Sequence, residues 1–264
     1  GCPPPASAHA VGVTPPPRRF VRTLPLPHPR ADVFAWHERP GAFERLAPPW
    51  QRVRVVRSDG SIRDGARVEL RAAVAPHPAL DPLARLVVPE RWVVEHEGYV
   101  AGRRFRDVMR EGPFPRWAHE HRVDDGATAE TSVLTDDITY ALPFGALGAL
   151  GAGAAEGELD RLFRYRHRVT AHDLDRHAAL GGLAGPGPLT VAITGASGLV
   201  GTALTAFLTT GGHTVVRIGR GAPAPSAEPQ LRDVRWDPEA GRLDPAALEG
   251  VDAVVHLAGA SVAD

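Results

Sequence analysis

The stretch LTVAITGASGLVGTALTAFLTTGGHTVVRIGR, residues 189–220, decides the fold of the second half of the chain. Residues 189–193 (LTVAI) are a short apolar run with the length of a buried strand. TGASGLVG follows at 194–201, and a helix is predicted over 199–210, where Leu199, Val200, Ala203, Leu204, Phe207 and Leu208 recur on one face. Gly211-Gly212 is a helix stop, and His213 to Gly219 reads as a second strand. Strand, glycine turn, helix and strand in this order form the opening unit of a dinucleotide-binding sheet.

Each glycine has a physical task. Gly195 permits the tight turn off the strand, Gly198 admits a pyrophosphate close to the backbone, and Gly201 lets the helix pack closely. The free N–H groups at the helix start favour phosphate. The cofactor-binding residues expected here are Gly195, Ala196, Ser197, Gly198, Leu199, Val200 and Gly201. The other reading is a tight strand–helix turn without a ligand. An NAD-preferring site usually places an acid at the end of the second strand, for the ribose 2′-OH. This chain has Arg220 there, which suits a 2′-phosphate, so NADP is expected ahead of NAD. The alternative is an exposed arginine in an arginine-rich chain. Residues 251–259 (VDAVVHLAG) read as another buried parallel strand, whose end at Leu257, Ala258 and Gly259 borders the cofactor crevice.

TGASGLVG (194–201) and HLAG (256–259) resemble the loop and fourth-strand turn of the extended short-chain dehydrogenase/reductase superfamily. With RWDPEAGRLDPAALEGVDAVVHLAGASVAD (235–264) the likeness narrows to the epimerase-like subfamily often labelled cell-division-inhibitor-like. That resemblance implies NAD(P)-dependent oxidoreductase or epimerase chemistry resting on a Tyr-x-x-x-Lys pair. The pair is missing. The chain has no lysine, so all 30 basic residues are arginine, and Tyr99, Tyr140 and Tyr165 all precede the glycine loop. No catalytic residue is therefore assigned.

Upstream, alternating apolar stretches at 18–26, 51–58, 66–74, 90–100, 103–111, 116–124 and 127–140 read as strands. Asp59-Gly60, Ala101-Gly102 and Asp125-Gly126 supply hairpin turns. Residues 30–47 read as two short helices broken at Pro40-Gly41, the four-proline segment 76–89 as an interruption, and about 157–178 as a long closing helix. WHERPGAFERLAPPW (36–50), GPFPRWAHEHRV (112–123) and LFRYRHRVTAHDL (162–174) in this order resemble the START-like (SRPBCC, helix-grip) superfamily. That resemblance implies a cavity for a small apolar molecule between sheet and helix.

Trp117, His119, His121 and Val123 alternate along one strand and share a face, so Trp117, His119 and His121 are expected to line that cavity. Ordinary sheet-surface residues are the other reading. Two histidines at i, i+2 without a third ligand nearby are a poor metal signal, and no metal is expected. His167, His172 and His177 do not share a helical face and read as a solvated helix, and neither Asp124-Asp125 nor Asp136-Asp137 is placed for acid–base work. Arg103, Arg104, Arg106 and Arg110 read as sheet surface, without the interleaved aromatics of a nucleic-acid site.

The expected fold class is an α+β helix-grip domain followed by the N-terminal part of an α/β Rossmann domain. Residues 1–17 are expected as a disordered leader, 18–180 as the START-like ligand-binding domain, 181–188 as linker and 189–264 as a partial NAD(P)-binding domain. A net charge of -1 gives no electrostatic case for nucleic acid, and no apolar run approaches the ~20 residues of a membrane span. A single cysteine, Cys2, excludes an intrachain disulfide and fits the cytoplasm. The start without methionine and the abrupt end at Asp264 read as those of a fragment. Three functions stay open: the cofactor-gripping half of a reductase or epimerase, a non-catalytic NADP- or ligand-binding sensor, and a helix-grip binding domain with a Rossmann remnant.

Overall fold

The computed structural model describes residues 17–72, 91–143, 152–184, 187–223 and 228–259. The 76–89 interruption and residues 1–16 of the expected leader lie outside them.

Seven strands form one antiparallel sheet: β1 (Arg18–Leu26), β2 (Val53–Ser58), β3 (Arg67–Ala72), β4 (Arg91–Val100), β5 (Arg104–Glu111), β6 (Arg116–Asp125) and β7 (Ser132–Ala141). Their order is β1-β7-β6-β5-β4-β3-β2, so β1 returns to pair along the far edge of β7. Two short helices, α1 (Arg30–Glu38) and α2 (Ala42–Leu46), lie between β1 and β2. The sheet curls around α3 (Ala152–Ala184). Gly60 and Gly102 take positive φ values of 67° in the expected turns.

Side-chain alternation separates the two faces of this sheet. Outward residues form ion pairs, among them Arg19–Asp137, Arg67–Glu95, Arg91–Glu69 and Arg110–Glu97. The arginine strip at 103–110 is thus a charged sheet surface. Inward residues build two apolar clusters. Phe34, Trp36, Phe105, Val123, Leu134 and Leu174 pack under α1, and Ile138, Tyr140, Leu159, Leu162 and Phe163 pack under the first half of α3.

The closing helix is longer than the sequence predicts, beginning at Ala152 and running through Gly181 and Gly182 to Ala184. Glycine inside a helix costs only about 1 kcal/mol. The helical hydrogen bonds therefore continue into the expected linker as far as Ala184.

The second sheet holds β8 (Thr190–Thr194), β9 (Thr214–Gly219), β10 (Leu231–Asp237), β11 (Arg242–Leu243) and β12 (Ala253–His256) in the order β11-β10-β9-β8-β12. All but β11 run parallel, with β8 between β9 and the edge strand β12. This is the strand order of the first half of a doubly wound sheet. Helix α4 (Leu199–Thr210) connects β8 and β9.

Two expectations fail here. β12 is not buried: it is an edge strand, and Val254 stays 61% exposed because no described element covers it. The buried face of α4 is also shifted. Leu204, Phe207 and Leu208 pack on the sheet, but Leu199, Val200 and Ala203 are exposed. Ala206, Thr209 and Thr210 are buried instead, because a second side of α4 packs on α2.

That seam joins the two units closely. Gly41 takes φ 93°, and a Cβ there would lie 2.5 Å from the Ala206 carbonyl oxygen. Thr209 Oγ1 donates to Pro40 O at 2.6 Å, and Arg39 donates to Thr210 O at 3.0 Å. His177 stacks on Phe207 with ring centroids 4.5 Å apart. No described helix is long and apolar enough to cross a membrane.

Candidate functional site

The seam places two constellations on one continuous cavity of about 1680 Å³. One is the glycine loop after β8. The other lies inside the grip of the seven-stranded sheet.

At the loop, Gly195 takes φ 69°, and a Cβ on it would meet the Leu257 carbonyl carbon at 2.8 Å. A Cβ on Gly201 would come within 2.2 Å of Gly195 O. Gly201 therefore lets α4 close on the turn itself. Thr194 ties the loop to β12: its Oγ1 accepts from Leu257 N at 3.1 Å and Ala258 N at 3.2 Å. The hydroxyl's own hydrogen is then left for His256 Nδ1, 2.8 Å away. Gly198 is the N-cap of α4, and no side chain caps it. The first N–H groups of the helix thus have no intrahelical acceptor, as an anion site needs, and Gly198 lines the cavity while Leu199, Val200 and Gly201 do not.

Gly195, Ala196, Ser197, Gly198, Leu257, Ala258 and Gly259 all line this end of the cavity. Arg220 lines it too, with an exposed side chain, while Arg217 is committed to Asp233 at 2.7 Å. The loop residues fit a dinucleotide pyrophosphate: two glycines stand where a Cβ has no room, beside an uncapped helix start.

Inside the grip, Trp117, His119 and His121 line the cavity. Strand pairing sets Asp107 on β5 directly opposite His119 on β6, and His121 opposite Asp136 on β7. Asp136 is the hub. Its Oδ1 lies 2.9 Å from both His119 Nε2 and His121 Nδ1, and its Oδ2 is 2.6 Å from His167 Nε2 on α3. The His121 approach is too poorly aligned for a hydrogen bond. Phe105 stacks on His121 at 4.3 Å between centroids, and the rings of Phe163 and His119 meet at 89° with centroids 5.3 Å apart.

Charge in this buried cluster is strongly perturbed. Burial alone would raise the carboxyls of Asp107 and Asp136, but the facing imidazoles hold both well below the usual carboxylate range. Burial opposes a charge on His121, yet the two carboxylates push it up to about 9. His37 goes the other way: burial, with repulsion from His121, pushes it down to about 4. Burial also lowers the Arg166 guanidinium, despite attraction from Asp136 and Asp107.

Three sequence expectations are corrected here. His167 is not solvated, and His177 is half-buried at the seam; only His172 of the three is exposed. Asp136 and Asp137 do point to opposite faces, but Asp136 is the buried centre of the histidine cluster. Asp107 drew no attention because its partners lie on the next strand; the signal was its place two residues beyond the inward Phe105.

Comparison with known proteins bears on the second unit most directly. Residues 191–264 match the NAD dependent epimerase/dehydratase family. An epimerase family protein of Mycobacterium bovis is 55% identical over 73 residues, which are 28% of this chain and 23% of that protein. One from Mycobacterium leprae is 44% identical over 72 residues, or 27% and 22% of the two chains. Among solved structures, a nucleoside-diphosphate sugar epimerase from Corynebacterium glutamicum aligns with TM-score 0.68 and 31% identity, over 91% of this chain and 46% of that one. The chain thus spans under half of that structure, and its matches span about a quarter of the curated relatives.

Proposed function

We propose that this chain is the cofactor-gripping part of an NAD(P)-dependent oxidoreductase or epimerase of the short-chain dehydrogenase/reductase class, with a START-like domain that holds a small apolar molecule. The observation that carries this reading is the uncapped start of α4 behind Gly195 and Gly201, opening on a cavity shared with the helix-grip sheet.

In this reading the N–H groups at the start of α4 bind the pyrophosphate, and the small residues Ala258 and Gly259 leave room beside it. Arg220 binds a 2′-phosphate, which favours NADP over NAD. Bound nicotinamide supplies hydride transfer. Trp92, Trp117, Tyr140, Leu159 and Leu162 provide the apolar wall for the small molecule. The described residues provide no Tyr-x-x-x-Lys pair, and Tyr99 and Tyr140 are set within the helix-grip sheet.

NADPH and NADH titrations of the wild type and Arg220→Ala, followed by nucleotide fluorescence, test the cofactor reading. NADPH should bind more tightly than NADH, and the substitution should weaken NADPH about tenfold while sparing NADH. Equal affinities in the wild type would remove the role of Arg220.

A further inference from the structure

We propose that Asp107, His119 and His121 form a binding site for one divalent first-row transition-metal ion of the zinc type, on the cavity wall inside the helix-grip sheet. The site does not depend on the nucleotide reading.

Antiparallel pairing sets Asp107 opposite His119, and His121 follows two residues on, so all three side chains project from one face of two rigid strands. All three line the cavity, and one ligand atom from each lies within 4.8 Å of the other two. The sequence offered two histidines and lacked a third ligand; the neighbouring strand supplies it.

The spacing fits an ion better than a hydrogen bond. His119 Nδ1 is 3.5 Å from Asp107 Oδ2, and His121 Nε2 is 3.6 Å from Asp107 Oδ1. Both exceed a good N–H···O distance of about 3.2 Å. Two ligands bound at ~2.1 Å to a tetrahedral ion stand about 3.4 Å apart.

The far sides of the rings match what metal-bound histidines require. A ligating imidazole usually gives its other N–H to a carboxylate, which fixes the tautomer and turns the lone pair to the metal. His119 Nε2 donates to Asp136 at 2.9 Å, which leaves Nδ1 as the lone-pair nitrogen facing Asp107. His121 Nδ1 lies 2.9 Å from the same oxygen without hydrogen-bond alignment, and its Nε2 faces Asp107. His167 in turn holds the second oxygen of Asp136 at 2.6 Å. Once His121 gives up its proton, three lone-pair atoms lie within 4.8 Å of one another, and a metal ion can take the proton's place.

Two imidazoles and one carboxylate are a borderline donor set suited to Zn²⁺ or Fe²⁺ and not to Ca²⁺ or Mg²⁺. Three protein ligands beside a cavity leave a position open, as in sites where the ion polarises an oxygen of a bound molecule. Asp107 is the most exposed of the three ligands, with 20% of its side chain accessible.

The test uses the full chain, stripped with chelator and titrated at mildly alkaline pH. Zn²⁺ is followed by calorimetry, and Co²⁺ by its visible d–d absorption. One equivalent should bind, and Co²⁺ should give the intense bands of a four- or five-coordinate site with nitrogen ligands. Asp107→Asn, near-isosteric and on the accessible side, should weaken binding at least tenfold. Asp136→Asn should weaken it 10–100-fold without touching a ligand. Circular dichroism confirms that each variant is folded, and unchanged NADPH binding separates this site from the nucleotide loop. No stoichiometric Zn²⁺ or Co²⁺ uptake by the folded wild type would overturn the proposal, with the cluster then held by protons alone. Equal affinity in Asp107→Asn would overturn it as well.

Discussion

Gly201 and His37 show how much a single atom decides in this molecule. A Cβ at Gly201 would sit 2.2 Å from Gly195 O, an impossible contact against backbone. Gly201→Ala must therefore push α4 away from the turn, at a cost of about 1–3 kcal/mol by analogy with other sites of imposed strain. Urea denaturation should show that loss. His37 makes a different prediction. Its side chain is buried and its Nδ1 donates to Val33 O at 2.8 Å. Burial pushes its pKa down to about 4, below the unfolded value near 6.5. The unfolded chain therefore binds the proton more readily, and stability falls as pH drops from 6.5 towards 4. A shift of this size corresponds to about 3 kcal/mol at the acid end. His37→Gln stays neutral throughout, so the acid slope of its stability should be shallower than that of the wild type. Equal slopes would assign the effect to other groups. The tight turn at Gly195 and the close packing at Gly201 were legible in the sequence, because φ > 0 and close approach leave glycine as the fitting residue. The role of His37 was not, because nothing local distinguishes a buried histidine from an exposed one.

At the scale of elements, period-2 alternation identified all seven strands of the first sheet, because one face meets the core and the other meets water. The pattern served less well for α4. Its apolar stripe predicted a single buried face, but Thr209 and Thr210 are buried at the seam with α2, α3 and the corner at Pro40-Gly41. Threonine is polar in any hydropathy pattern, so a helix side that buries threonines through hydrogen bonds is invisible to it. Thr209→Val should cost about 1 kcal/mol through loss of the 2.6 Å bond to Pro40 O, measurable as a fall in Tm. Gly41→Ala should cost more, because it adds both a positive-φ penalty and a 2.5 Å clash with Ala206 O. β12 failed for a related reason. Val254 and Val255 read as a buried strand from composition, yet a strand is buried only where a neighbour covers it.

For the whole molecule, the two-part architecture was readable from three stretches between residues 36 and 174 and from the glycine loop at 194–201. The shared cavity was not, because it depends on how α4 docks between α2 and α3. The histidine–aspartate cluster was half-legible: His119 and His121 share one strand face in the sequence, while Asp107, Asp136 and His167 come from three other elements. The cavity end lined by Trp92, Phe114 and Trp117 has these rings 5.2–5.8 Å apart. An apolar dye such as anilinonaphthalene sulfonate should bind there saturably, quench tryptophan emission and remain bound when NADPH is added. Non-saturable binding, or displacement by the nucleotide, would contradict separate ends for the two ligands.

The central claim is that the loop from Gly195 to Gly201 holds a dinucleotide pyrophosphate. Calorimetric titration of NADPH into the wild-type chain and into folded Gly201→Ala tests it most directly. One nucleotide should bind per wild-type chain, and the variant should lose at least tenfold in affinity. Absence of binding to the wild type, or an unchanged affinity in the variant, would contradict it.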